Sequence, residues 1–307
     1  MAMASSSSTI STTRTILVTG GNRGIGKALC QRLLKEYPDT HVFLGSRNIM
    51  KGEQAAQDIL QKLKDKDNDN DNDDYSNRLN VIEMDVSNKQ SVETAANVIN
   101  ESTSYKSKLP FYAIVNNAGR GWDPPYKQTM DTNYFGTRNV NNVFGKLVQP
   151  GGRIVNISSA SGPSWLSQQS RDIKIKLSQP WKYFNSIKEL DDLAKSIKLT
   201  DDTYGISKAF INAYTVLHAK EEGRNDSSSR IIVNAVTPGF IATDMGKPLG
   251  ATKSPHDGCT PILFALFDKE LEESFPTGRY YGSDCKRSPL DTYRGPGEPV
   301  YEGPDWE

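Results

Sequence analysis

The sequence predicts a doubly wound α/β domain on a seven-stranded parallel sheet. Short β-branched runs alternate with helical patterns along most of the 307 residues. A glycine-rich turn follows the first run and opens a helix, and seven such runs suffice for one open sheet. The runs are TILVT (15–19), HVFLG (41–45), LNVIEM (79–84), FYAIVN (111–116), RIVNIS (153–158), RIIVNAV (230–236) and GRYYG (278–282). Between the first two, Ile25, Leu29 and Leu33 mark an amphipathic helix that ends at Pro38. Ser87 with Gln90 reads as a capping box for a helix through about Ser102. Further on, Ile206, Phe210, Ala213 and Leu217 step by four, three and four, so that face is expected to pack on the sheet.

Two stretches interrupt the alternation. Residues 65–77, DKDNDNDNDDYSN, carry D-x-D-x-D spacing without the glycine and glutamate of a calcium loop, and read as a disordered loop. Residues 161–203 are richer in aromatics, with Phe184, Ile187, Leu190, Leu193 and Ile197 at helical spacing, and read as a helical insertion capping the main domain. The domain is expected to run from 15 to 285. Residues 1–14, Ser/Thr-rich, read as a disordered tail and 286–307 as a C-terminal tail.

Composition narrows the function. Lysine plus arginine (37) equals aspartate plus glutamate (37), which gives no field suited to nucleic acid or to an anionic membrane. The longest apolar run, Ile262 to Phe267, is too short to span a bilayer. Cys30, Cys259 and Cys285 and the three histidines are scattered, so no metal site is expected, and G-x-S-x-G is absent. A cytoplasmic protein with a small-molecule partner is the expectation.

The chemistry begins at TGGNRGIG. Gly20, Gly24 and Gly26, with Asn22, Arg23 and Ile25 among them, let the backbone turn tightly and let a pyrophosphate approach the unpaired N–H groups of the next helix. The second strand ends in GSRN. An acid there would grip the ribose 2′-hydroxyl of NAD, whereas Arg47 suits the 2′-phosphate of NADP, with Arg23 and Lys51 adding charge. Tyr204 and Lys208 stand four apart, one turn along a helix face. A phenol with a pKa of about 10 beside an ammonium is a tunable acid, because the cation favours phenolate.

With MDV (84–86), NNAG (116–119), TNYFGT (132–137), IVNISS (154–159), YGISK (204–208) and NAVTPGFIATDM (234–245) following TGGNRGIG in order, residues 15 to 285 resemble the short-chain dehydrogenases/reductases, a Rossmann-fold family. The long interval before Tyr204, SRNIMKG, and ATKSP at 251–255 are similar to the monomeric NADPH-dependent carbonyl reductases. The resemblance implies NADPH/NADP+ as cofactor, Tyr204 as proton donor to a carbonyl oxygen, and Lys208 as holder of the nicotinamide ribose. It selects Ser159 rather than Ser158 to hydrogen-bond the substrate oxygen, and gives Asn133 a water that links Lys208 to solvent. Asp85 and Val86 match adenine contacts, Asn116, Ala118 and Gly119 lie beneath the cofactor, and Pro238, Gly239, Ile241 and Thr243 flank the carboxamide. Trp122, Trp165, Trp181 and Met245 are expected to line a pocket for ketones, aldehydes or quinones. The insertion should cover the face through which many family members dimerise, which predicts a monomer. The alternatives are a dehydrogenase or reductase for one secondary alcohol or steroid-like metabolite, and a non-catalytic NADP(H) sensor. An intact Ser159, Tyr204 and Lys208 argue against the sensor.

Overall fold

In a computed structural model that describes residues 13–65, 75–121, 125–197, 202–223, 230–269, 271 and 276–306, seven strands form one parallel sheet. They are β1 (Arg14–Thr19), β2 (Thr40–Ser46), β3 (Leu79–Glu83), β4 (Phe111–Asn116), β5 (Val148–Ile157), β6 (Ile232–Val236) and β7 (Tyr280–Tyr281). Their order is β3-β2-β1-β4-β5-β6-β7, every neighbouring pair being parallel. The order reverses between β1 and β4, so the loops leaving their carboxyl ends diverge and open a crevice there.

Helices Gly24–Glu36, Ile49–Lys64 and Thr260–Phe267 cover one face through Leu29, Leu33, Ile59 and Ile262. Helices Lys89–Glu101 and Gly136–Phe144 cover the other through Val92, Ile99, Val140 and Phe144. The helix Lys89–Glu101 is capped by Asn88, whose side chain accepts from the N–H groups of Gln90 and Ser91, while Ser87 donates to Asp85 instead. The capping box expected at Ser87 is thus displaced by one residue, because asparagine reaches the same orphan donors.

The helix Thr203–Glu222 starts at Asp202, which accepts from Gly205 N at 2.7 Å. It is buried continuously from Tyr204 to Ala219. A helix buried all round has two covered faces, and the sequence assigned them the wrong way. Ile206, Phe210, Ala213 and Leu217 meet the insertion, packing with Leu177, Phe184, Ile187, Leu190 and Ala194. The sheet side is held by groups such as Thr215, which accepts from Asn156 Nδ2 at 2.9 Å, and by Ala219.

The insertion forms helices Ser161–Ser167, Arg171–Ser178, Pro180–Tyr183 and Ile187–Ser196. Each large apolar side chain that it buries contributes about 1.5–3 kcal/mol.

Two boundaries change. Residues 75–77, expected in the disordered loop, belong to a short helix, Tyr75–Arg78, with Tyr75 buried. Most of the rest of that loop, and the N-terminal residues before 13, lie outside the described residues. The stretch from 286 is no free tail, because Arg294 is buried and the Trp306 indole donates to Thr277 O at 2.9 Å.

Candidate active site

The loops after β1, β2, β3, β4, β5 and β6 converge on one open cleft of about 1610 Å³. Gly20 and Gly24 take φ values of +63° and +52°, where a side chain is strained. They line the cleft with Asn22, Arg23 and Ile25 at the start of helix Gly24–Glu36, whose N-cap residue, Arg23, makes no side-chain cap. Unpaired helical N–H groups beside a bare backbone suit a pyrophosphate. Gly26 points away: a Cβ there would lie 2.4 Å from both Asn117 Nδ2 and Gly20 O, so its role is close packing.

At the end of β2, Arg47 and Lys51 line the same cleft, with no acid at the strand end. Arg23 is shared with Asp244, 3.3 Å away and well exposed. Asp85 and Val86 line the cleft after β3.

Asn116 does not reach it. This buried side chain donates to Asn141 and Asn156 at 2.7 and 2.9 Å. The next residue, Asn117, does the work at the glycine loop, donating to Thr19 O and Gly20 O at 2.9 and 3.1 Å. Ala118 and Gly119 also line the cleft, as do Pro238, Gly239, Ile241 and Thr243 opposite. The cradle therefore fits a dinucleotide with an extra phosphate on its adenosine half.

At the inner end stand Ser159, Tyr204 and Lys208, all in the cleft wall. Lys208 Nζ donates to Ile157 O at 2.7 Å and lies 5.4 Å from the centre of the Tyr204 ring. Ser159 Oγ accepts from Ser161 N at 3.2 Å and is in hydrogen-bond contact with Tyr204. Its neighbour Ser158 is turned under the helix, donating to Lys208 O at 3.4 Å. Asn133 is fully buried; its Nδ2 donates to Arg120 O and Ser207 Oγ at 3.0 and 2.9 Å, and its Oδ1 accepts from Arg120 N at 2.8 Å. A Cβ on Gly119 would lie 3.4 Å from Asn133 Oδ1 and 3.9 Å from Lys208 Nζ, so the two polar groups flank that glycine.

The electrostatics differ from the expectation of an acidified phenol. Burial raises the Tyr204 pKa, against the opposing hydrogen bond from Ser159. Burial also pushes Lys208 down to about 7. Desolvation disfavours whichever form is charged, and for both groups it is the largest cause of the shift.

The two described tryptophans of the expected set, Trp165 and Trp181, do not line the pocket. Trp165 is buried in the core between the insertion and the Tyr204 helix. Trp181 lies elsewhere, beside Val216 and Arg279, with its carbonyl bound by Lys220. Trp122 is outside the described residues. Met245 is in place, against Gly121, where a Cβ would come within 2.8 Å of its Cγ. Among its described residues the insertion gives the cleft only Ser161 and Pro163. Sequence reasoning missed Phe240, Leu249, Tyr280, Tyr293 and Arg294, which line it instead. Tyr280 left a signal as part of the seventh strand run, and Phe240 as part of NAVTPGFIATDM. Among the described residues no cluster of three metal-ligating side chains occurs.

Known proteins share this plan. Carbonyl reductase [NADPH] 1 of Macaca fascicularis is 30% identical over 84% of this chain and 93% of its own length. The human protein of that name is 29% identical over 83% and 92%. Salutaridine reductase from Papaver somniferum superposes with a TM-score of 0.66 at 22% identity, covering 87% of this chain and 99% of that one. An NADPH-bound carbonyl reductase from chicken fatty liver gives 0.61 at 22%, covering 90% and 98%. The model of the short chain dehydrogenase family matches residues 14–170, just over half of the sequence. With the glycine cradle, the reversal of strand order at β1 and β4, and Ser159, Tyr204 and Lys208 at the head of the cleft, this chain belongs to the short-chain dehydrogenase family.

Proposed function

We propose that the protein reduces carbonyl groups of small molecules to alcohols with NADPH, as a cytosolic monomer, with Tyr204 as proton donor. The observation that carries this reading is the meeting of Tyr204, Ser159 and Lys208 at the inner end of a cleft whose outer end holds Arg47 and Lys51. The names of its carbonyl reductase relatives agree. Arg47 and Lys51 would take the 2′-phosphate, and the loop Gly20–Ile25 the pyrophosphate. The dinucleotide, when bound, supplies the hydride.

The rest of the chemistry belongs to the chain. Ser159 Oγ accepts from Ser161 N and donates to Ser161 Oγ at 3.3 Å, a long bond whose proton can turn to a carbonyl oxygen instead. That hydrogen bond strengthens as charge gathers on the oxygen. Tyr204 is kept protonated by burial and is therefore a loaded acid at neutral pH. Its proton moves to the substrate oxygen as the alcohol forms. Lys208 uses one N–H on Ile157 O and keeps two for ribose hydroxyls. Both N–H groups of Asn133 are taken, but Oδ1 keeps a lone pair that can hold a water near Lys208. The buried thiols of Cys30 and Cys259, both pushed up by burial, suit a reducing compartment.

Following NADPH absorbance with a panel of quinones, aldehydes and ketones tests the reading. NADPH is expected to be consumed, with NADH much the poorer donor. Arg47→Glu should raise KM for NADPH roughly 10- to 100-fold, since it removes charge-assisted hydrogen bonds and adds repulsion. A wild type that prefers NADH would overturn the assignment of Arg47.

A further inference from the structure

We propose that the segment Ser283–Pro296, which returns along the chain end to the cleft, is the wall that selects the substrate. Its Tyr293 receives the fused-ring body of a bulky, neutral ketone whose carbonyl lies at Tyr204. This rests on the reductase reading and adds to it a class of substrate and a residue that chooses it.

The segment has neither helix nor strand. It is fixed by polar bonds gathered on Arg294, whose side chain is 5% exposed. Nε donates to Ser288 Oγ at 2.9 Å, Nη1 to Glu298 O and Gly295 O at 2.8 and 3.2 Å, and Nη2 pairs with Asp284. Asp284 also accepts from Gly297 N at 3.1 Å, and these donors hold its carboxyl below the usual range against the cost of burial. A buried guanidinium is tolerated only when its donors are satisfied. Neither layer over the sheet uses this one. Its effect is to hold the backbone of the residue before it.

That residue, Tyr293, lines the cleft and is 52% exposed. Across the opening, Phe240 and Leu249 of the loop after β6 line the same cleft, at 52% and 55% exposure. Three large apolar side chains left in water around one opening are a binding surface rather than scattered exposure. Tyr280, buried, lines the same cleft as the reacting Tyr204 and the wall residue Tyr293. Because Asp284 neutralises Arg294, the wall beside Tyr293 offers ring faces rather than a free cation. A flat, uncharged ring system fits that surface.

The test compares fluorenone with cyclopentanone, which share a five-membered ring ketone and differ by two fused rings. Fluorenone binding to the protein with NADP+ is measured by calorimetry, and kcat and KM are measured for both ketones. Tyr293→Ala should weaken fluorenone about tenfold more than cyclopentanone, the loss of one stacked, desolvated ring. Arg294→Gln should do the same through KM with kcat held, whereas a merely structural role would move both ketones alike together with the melting midpoint. Equal losses on the two ketones, or a wild type that takes cyclopentanone and rejects fluorenone, overturn the proposal. If fluorenone binds, is lost in Tyr293→Ala, and neither ketone is turned over, the wall stands and the reductase reading falls.

Discussion

Replacing Tyr204 by phenylalanine is expected to lower kcat about a thousandfold, the middle of the range for a positioned general acid, while the NADPH dissociation constant stays close to that of the wild type. The substitution removes one oxygen and keeps the ring, which is 8% exposed, so it leaves no cavity and the helix Thr203–Glu222 keeps its packing. What disappears is the proton. Burial holds the phenol protonated, and in the proposed reaction it would release that proton only when the substrate oxygen has become basic enough to take it. The nearby Lys208 offsets the phenolate charge at that moment. Water entering the open cleft can replace the acid only weakly, which sets the residual rate. Stopped-flow measurement of one turnover, together with NADPH binding by fluorescence, separates the effects. A kcat within tenfold of the wild type would remove Tyr204 from its role. Tight NADPH binding without turnover in the wild type itself would point to a sensor.

Much of this was legible in the sequence because it rests on local rules. β-branched runs give strands wherever they sit, and a glycine loop between strand and helix needs no tertiary knowledge to be read. Ser159, Tyr204 and Lys208 stand in the expected cleft for the same reason. Other features depend on pairings that only the fold creates. Asn116 and Asn117 are adjacent, and only the tertiary partners show that the first is tied to Asn141 and Asn156 while the second reaches the glycine loop. The helix Thr203–Glu222 is apolar on two sides, so its periodicity could not say which one meets the sheet. Trp165 and Trp181 are large and aromatic wherever they lie, and composition cannot tell a core ring from a pocket ring. The chain end was unreadable because single polar bonds, Arg294 with Asp284 above all, hold it in place of an apolar stripe.

Asp191→Ala is expected to destabilise the protein by about 3 kcal/mol, the lower end for breaking a buried ion pair, and to loosen the insertion before anything else. Asp191, on helix Ile187–Ser196, accepts from Arg138 and, at 2.8 Å, from the Tyr134 hydroxyl. Arg138 and Asp191 are 15% and 17% exposed, so solvent screens the pair only slightly. Without Asp191 the guanidinium keeps its position over the Tyr214 ring, 5.2 Å from the centre, but has lost its counter-charge. Tyr134 loses its acceptor as well. The melting midpoint should fall by about 5 °C for a domain of this size. Lys188, on the same helix but 82% exposed and paired with Asp192, serves as control, since surface pairs contribute little and Lys188→Ala should not move the midpoint measurably. The double change Arg138→Met with Asp191→Leu should recover part of the loss, because it removes the uncompensated charge and leaves the Tyr134 hydroxyl without its acceptor. The wild type should scatter light as one 34.0 kDa chain, with Phe210, Tyr214 and Leu217 covered by the insertion. The alanine variant, its cover loosened, should add heavier species at micromolar concentration. A variant as stable as the wild type would show that apolar packing alone holds the insertion. A wild type of twice that mass would show that a second subunit shares the task.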